Sequence, residues 1–378
     1  MSEPTQPQQP LKILLVTEPS GGGSGRHVVD LARELLLLGH IVAVIYSPVR
    51  AELKFIRELR GLSLMALEAL PMRRAVGPWD IGCARELRRA IDRLGPFDVI
   101  HAHSSKAGAL ARLVAPSGTL RVYTPHAFRT MDPATSNPAR LVYGSVEALL
   151  GRFVSDAIIA VSSEEADHAG VLGIPLSKIH TVANGLTPAP IVDREAARAA
   201  LGLQAGDIAV GFVGRLCEQK NPERFAEAIC LANALDPRIR GVILGDGELL
   251  EVTMAAGGKA LSVFSGFNAR EYLPAFDLFV MTSRYEAMPY VLLEALQAGL
   301  PIISTAVGGT SFAVKHGENG SLLDVNASPQ LFADAIIQNA PAELRAVLGK
   351  ASKAKCVGIT ALDMAQATTI VYRMAAQP

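Results

Sequence analysis

From Leu11 onward, short β-branched runs alternate with longer amphipathic ones: LKILLVTEP, then GRHVVDLARELLLLGH, then IVAVIYSP. That order predicts strand, helix, strand, with a parallel sheet held between helix layers. Further apolar runs predict strands at 63–70, 98–104, 121–127, 157–163 and 179–185. Each ends near Ser, His, Gly or Asn, so small and polar residues gather where strands hand over to loops. In an open α/β sheet this is the edge at which ligands bind. Between Asn184 and Asp207 the alternation lapses into LTPAPIVD and a short Ala/Arg-rich helix. It restarts with IAVGFVGRL at 208–216 and continues through strands at 239–247, 260–267, 278–284 and 301–307. After Pro341 come two helical stretches with no strand between them. The pattern therefore predicts an α/β chain of two Rossmann-like, doubly wound parallel-sheet domains facing each other. The expected parts are a disordered tail at 1–10, a first domain at 11–186, a linker at 187–206 and a second domain at 207–355. A closing helix within 356–378 is expected to pack back across the first domain.

Composition narrows the function classes. A chain of 378 residues exceeds what one hydrophobic core usually fills, which agrees with two domains. Lys plus Arg and Asp plus Glu each total 36, so there is no net charge to support non-specific nucleic-acid binding, and nucleic acid is not expected as a partner. With 49% hydrophobic and 19% charged residues the body is expected to fold throughout. Cys83, Cys217, Cys230 and Cys356 show no close CxxC or CxxH spacing, which suggests a reducing compartment and neither disulfides nor structural zinc. The polar, Pro-rich N-terminus lacks the apolar core of an export signal. The long uncharged stretch 295–314 is broken by Gly299, Pro301, Gly308 and Gly309, so no membrane-spanning segment is expected.

Four groups of residues carry candidate chemistry. The first strand leads into Ser20-Gly21-Gly22-Gly23-Ser24-Gly25 and then a helix. Glycines there either let backbone N–H groups approach an anion or simply make a tight turn. At the first strand of the second domain, Arg215 and Lys220 stand five residues apart at a strand exit, a pair of cations able to converge on a diphosphate or to form a solvated loop. Next comes Glu286, in a loop after a strand, with Glu294 eight residues on in a helix otherwise almost wholly apolar. A carboxylate in such a helix is costly without a partner, and a ligand offering hydroxyl donors, a sugar or ribose, answers that need. Finally, His101 and His103 share one face of a strand, and His126 follows VYTP at the end of the next. No third ligand follows at metal-site spacing, so strand-end packing is expected for the pair; His126 alone is kept as a site candidate.

Together these pieces resemble the retaining glycosyltransferases of family 4, with the GT-B fold, which build bacterial polysaccharides, glycolipids and lipopolysaccharide. The resemblance runs nearly end to end. It is carried by the glycine loop before RHVVDLA, DVIHAHSSKAG, YTPHAF, the VSS and VANG segments, VGRL with Lys220-Asn221, the E-x7-E element and Gly308-Gly309 before ENGSLL. It implies two domains facing across a cleft, with no cofactor and no metal. The donor diphosphate would be held by Arg215, Lys220 and the backbone at Gly22 and Gly23. Glu286 would hold donor-sugar hydroxyls, Glu294 the ribose, and Gly266 with Phe267 the base. His126 matches the family's histidine near the reacting sugar. Where relatives often read EGFG, this chain has Glu286-Ala287-Met288-Pro289, so contacts there pass to the amides of Met288 and Tyr290.

By the same resemblance the reaction is glycosyl transfer from a nucleoside diphosphate sugar, UDP favoured, to an acceptor hydroxyl with retention, the acceptor being a glycan or lipid-linked glycan. His126, Arg215, Lys220 and Glu286 are the expected catalytic set. Ten Lys or Arg against six Asp or Glu between Arg50 and Arg93 suggest a basic surface. It is either a solvated helix face or, as the resemblance to members with lipid-linked acceptors implies, one that meets the anionic cytoplasmic face of the inner membrane. A sugar-nucleotide 2-epimerase and a catalytically degenerate nucleotide-sugar-binding scaffold share this architecture. A NAD-dependent dehydrogenase fails for want of GxGxxG with an acid about 20 residues on.

Overall fold

The computed structural model describes residues 9–187, 190 and 192–377. The tail read over 1–10 falls outside the described residues except for Gln9 and Pro10. Two units are distinguished, one running to Gly185 and resuming at Thr360, the other spanning Leu186–Ile359.

In the first unit, β1 (Lys12–Thr17), β2 (Ile41–Tyr46), β3 (Ala66–Ala69), β4 (Val99–His103), β5 (Leu120–Thr124), β6 (Ala157–Ala160) and β7 (Ile179–Thr181) form one sheet in the order β3-β2-β1-β4-β5-β6-β7. Every pairing is parallel; Leu15, for example, lies opposite Val44 on one side and His101 on the other. Both faces are covered, which is why the strands read as continuous apolar runs. Ile13, Leu15, Val44 and Val122 pack into one core, while the alternate residues Leu14, Val16, Ile45 and Ile100 pack into another. The first of these cores includes Val28, Leu31 and Leu35 of the helix Gly22–Leu37 and Met364, Val371 and Tyr372 of the helix Ala361–Ala375. That last helix opens on a capping box between Thr360 and Asp363.

In the second unit, β8 (Ile208–Val213), β9 (Ile239–Leu244), β10 (Leu261–Phe264), β11 (Leu278–Met281), β12 (Ile302–Thr305) and β13 (Gly320–Leu323) follow the order β10-β9-β8-β11-β12-β13, again parallel throughout. The strand β13 was not expected, because GSLL is too short to show a period. It is made by pairing with β12, where Gly320 lies opposite Ile302 and an added Cβ would stand 1.7 Å from the Ile302 carbonyl oxygen.

The linker expected at 187–206 needs correcting. Its helix, Arg194–Ala200, belongs to the second unit, because Arg194 and Arg198 reach Asp277 just before β11 at 2.8 and 3.1 Å. The second unit also runs on to Ile359 rather than 355: the Leu186 N–H donates to the Ile359 carbonyl at 3.2 Å. Among the described residues no helix is long and apolar enough to cross a membrane.

Candidate functional site

In a doubly wound sheet the crevice opens where the strand order reverses. In the second unit that point lies between β8 and β11, and the loops leaving these two strands carry Arg215, Lys220 and Glu286. The loops are laced together. The Thr282 hydroxyl lies within donating distance of the Lys220 and Asn221 carbonyls at 3.0 and 2.8 Å, and the Arg284 N–H donates to the Gln219 carbonyl at 2.8 Å. The Gln219 side-chain amide returns a bond to the Tyr285 carbonyl at 3.1 Å. This lacing sets Lys220 Nζ 2.6 Å from Glu286 Oε1, an ion pair between largely buried side chains. The two residues, expected to hold diphosphate and sugar separately, form one charge-neutral element. Arg215 stands exposed at the same strand exit with no ion-pair partner among the described residues. A cation without a protein counter-charge next to a neutralised Lys–Glu pair suits an anionic ligand that also offers hydroxyls.

The loop carrying Glu286 is backed by Gly308 and Gly309. An added Cβ at Gly308 would stand 2.3 Å from the Glu286 carbonyl oxygen, and Gly309 (φ 72°) places its own 2.8 Å from Met288 Cα. Only glycines let the two backbones lie this close. Met288 and Tyr290 are both buried, and Tyr290 begins the helix Tyr290–Ala298.

Glu294 lies on that helix, and the expectation that it lacks a polar neighbour is corrected: Arg270 Nε stands 3.7 Å from Glu294 Oε1, both side chains about nine-tenths buried. Arg270 follows Phe267 by three residues, so the segment expected to meet the base and the acid expected to meet the ribose are joined. Phe267 packs edge-on against Tyr272, ring centres 4.7 Å apart, and Gly266 takes a left-handed turn with φ 81°.

In the first unit the order reverses between β1 and β4. The glycine segment after β1 is not an open loop, since Gly22 and Gly23 already form the first turn of the helix Gly22–Leu37. The Gly22 N–H donates to Glu52 Oε1 at 2.9 Å, so a carboxylate occupies the place expected for phosphate at Gly22.

Four histidines meet at this reversal. His101 is satisfied at both ring nitrogens, by the Tyr372 hydroxyl at 2.7 Å and the Thr124 hydroxyl at 2.8 Å. His103 Nδ1 lies 3.2 Å from His126 Nε2, and His27 Nδ1 lies 2.9 Å from Asn184 Oδ1. The third ring that sequence spacing did not supply is His27, whose nitrogen falls with those of His103 and His126 inside a 4.8 Å circle. Burial pushes His27 down to about 4 and holds His101, His103 and His126 well below the ordinary imidazole value.

His126 and Ala127 both have positive φ, 55° and 74°, a conformation non-glycine residues hold only when their surroundings impose it. Glu165 imposes it. One carboxylate oxygen accepts the Ala127 N–H at 2.6 Å and the other the Val161 N–H at 2.8 Å, while Ser162 accepts the Glu165 N–H. Burial raises the Glu165 carboxyl to about 7. Sequence reasoning passed over Glu165, though Ser162-x-x-Glu165 has capping-box spacing. It also passed over Asn184 and Arg270, whose partners lie 157 and 24 positions away along the chain and leave no local signal. The expected basic surface is partly compensated, since Arg50, Arg88 and Arg93 pair with Glu18, Asp92 and Glu68.

Comparison with known proteins agrees with this organisation. The family described as Glycosyltransferase Family 4 matches residues 21–189, and that described as Glycosyl transferases group 1 matches residues 193–355. The UDP-Gal:alpha-D-GlcNAc-diphosphoundecaprenol alpha-1,3-galactosyltransferase of Escherichia coli is 31% identical over 61% of this chain and 63% of its own length, so the match spans less than two thirds of that relative. The D-inositol 3-phosphate glycosyltransferase of Kribbella flavida is 28% identical over 100% of this chain and 99% of its own. Among solved structures, HepE of Anabaena with UDP and glucose superposes with a TM-score of 0.80 at 19% identity, covering 96% of this chain and 100% of that one. Sucrose-phosphate synthase of Thermosynechococcus elongatus gives 0.79 at 20% identity, covering 97% and 99%. With two parallel doubly wound sheets and both family matches in chain order, this protein belongs to the family 4 glycosyltransferases of the GT-B fold.

Proposed function

We propose that the chain is a retaining glycosyltransferase that moves a sugar from a nucleoside diphosphate sugar, UDP favoured, to a hydroxyl of a lipid-linked glycan in bacterial polysaccharide or lipopolysaccharide assembly. The observation that carries this reading is the Lys220–Glu286 pair beside the uncompensated Arg215 at the β8/β11 reversal. Arg215 and Lys220 neutralise the diphosphate without a metal, and Glu286 accepts hydroxyls of the sugar. Glu294, held by Arg270, takes the ribose, with Gly266 and Phe267 at the base. Met288 and Tyr290 supply backbone contacts beside Glu286. In the transfer the bond from the anomeric carbon to the diphosphate oxygen breaks and a bond to the acceptor oxygen forms on the same face. The acceptor's proton passes to the departing diphosphate. The protein contributes positioning and charge, with His126 ordering the sugar.

The choice of nucleotide is supported by the likeness to HepE, whose structure holds UDP and glucose, and the acceptor class by the E. coli relative named for a diphosphoundecaprenol substrate. A cytoplasmic site at the inner membrane fits such an acceptor. In the helix Asn137–Phe153, Leu141, Val142, Val146, Leu149 and Phe153 are exposed, with exposed Arg140 and Arg152 beside them. Its one acid, Glu147, is turned inward to Arg112 at 2.9 Å. An apolar stripe with cations and no exposed acid suits an anionic leaflet better than the compensated arginines of 50–93.

A panel of UDP- and GDP-sugars without acceptor tests the assignment, read by thermal shift and by product release. One donor should stabilise the protein and be slowly hydrolysed. Formation of a C2 epimer, or binding with no turnover even when lipid extract is added, would replace transfer by epimerisation or by a scaffold role. Co-sedimentation should favour anionic over neutral vesicles, and equal binding to both removes the membrane assignment.

A further inference from the structure

We propose that His27, His103 and His126 form a binding site for one divalent transition-metal cation of the zinc class. One ring nitrogen from each lies within 4.8 Å of the others. The 3.2 Å between His103 Nδ1 and His126 Nε2 matches the spacing, about 3.3 Å, of two ligands on a tetrahedral cation with bonds of about 2.0–2.1 Å.

The ring nitrogens are arranged as a metal shell requires. Because Asn184 Oδ1 accepts from His27 Nδ1, the His27 proton stays on Nδ1 and the lone pair is presented at Nε2, the outer support that metal-binding histidines receive. His27 Nε2 is buried and has no hydrogen-bond partner, unlike the two nitrogens of neighbouring His101. A buried polar atom left unpaired is costly, and a cation removes that cost for a lone pair. The Glu165-held turn fixes His126 in place. Three neutral nitrogens with no carboxylate select zinc, cobalt or nickel over magnesium or calcium.

Binding itself stands apart from the proposed transfer. A consequence rests on that reading: a cation holding His126 withdraws it from the sugar, so occupancy inhibits.

The test uses the full chain, stripped of metal by chelator and titrated with Co2+ and Zn2+. One equivalent of Co2+ should bind with the visible spectrum of a four-coordinate site, and Zn2+ should displace it. His27→Gln and His103→Gln should each weaken binding at least about tenfold, as should Asn184→Ala by loosening His27. If the variants do not fold, the stoichiometry and spectrum of the unaltered protein decide. Absence of saturable binding up to about 0.1 mM cation, or binding untouched in folded variants, overturns the site. Inhibition is read separately as donor hydrolysis with and without Zn2+. A bound cation without inhibition removes the consequence alone, and a protein that hydrolyses no donor leaves the Co2+ result standing while transfer fails.

Discussion

The two carboxylate oxygens of Glu165 hold two backbone amides from separate segments, Ala127 N–H at 2.6 Å and Val161 N–H at 2.8 Å. Glutamine at 165 can accept only one of them, because its amide nitrogen would face an N–H. Glu165→Gln is therefore expected to lower kcat by tenfold to about 100-fold, the scale of a misplacement of about 1 Å at His126. Since burial raises Glu165 to about 7, the gripping carboxylate is present above that pH and lost below it. The wild-type rate should fall as pH drops through about 7, and the variant should lack that limb. A variant with wild-type kcat and an unchanged profile refutes the role.

Acid should unfold the metal-free protein through its buried histidines. His27 titrates at about 4 when folded, and His101, His103 and His126 lie well below the ordinary value, while unfolded rings titrate near 6.5. Below 6.5 the unfolded chain thus binds more protons, and stability present above that pH is lost as it falls. Glu165 and Glu34 oppose this, since burial raises the Glu165 carboxyl from 4.5 to about 7 and lifts that of Glu34, so their contribution is lost as pH rises. Burial also lowers His40, His168 and His180, however, which add to the four rings. Thermal unfolding between pH 8 and 5 should show Tm falling below about 6.5. A flat or rising Tm would contradict the prediction.

Lys220→Ala should cost on the order of 100-fold in turnover. Because the substitution also leaves Glu286 buried without its cation, the double variant with Glu286→Gln should lose less than the two single losses multiplied together, a coupling of about 1–3 kcal/mol. Turnover of Lys220→Ala within about threefold of wild type, or strictly multiplicative losses, would show that the pair does not act on the donor as one element.

Gly308→Ala places a methyl 2.3 Å from the Glu286 carbonyl, a backbone atom that must move. The expected result is a loss of about 1–3 kcal/mol in stability together with loss of the thermal shift given by the stabilising donor. An intact donor shift would mean that the Glu286 loop does not depend on this contact.

The strands β1, β2, β8 and β9 were legible because each is buried on both faces, so they stand out as apolar runs with little competition from helix periodicity. The four-residue β13 was not, since Gly320 shows its purpose only against Ile302. Arg215, Lys220 and Glu286 were legible as charges at strand exits, but their grouping was not, because the ion pair spans 66 positions and depends on β8 lying beside β11. Glu294 was read correctly as a carboxylate in an apolar helix and incorrectly as one without a protein counter-charge.

Local patterning, which depends on a few neighbouring residues, by itself determined that this chain makes two parallel α/β units with small and charged residues at their strand ends. Strand order is set by pairing between segments tens of residues apart, so only the tertiary structure decided what those residues meet. It placed Glu52 at the Gly22 amide, Arg270 beside Glu294, Glu165 beneath the His126 turn, and His27 against His103.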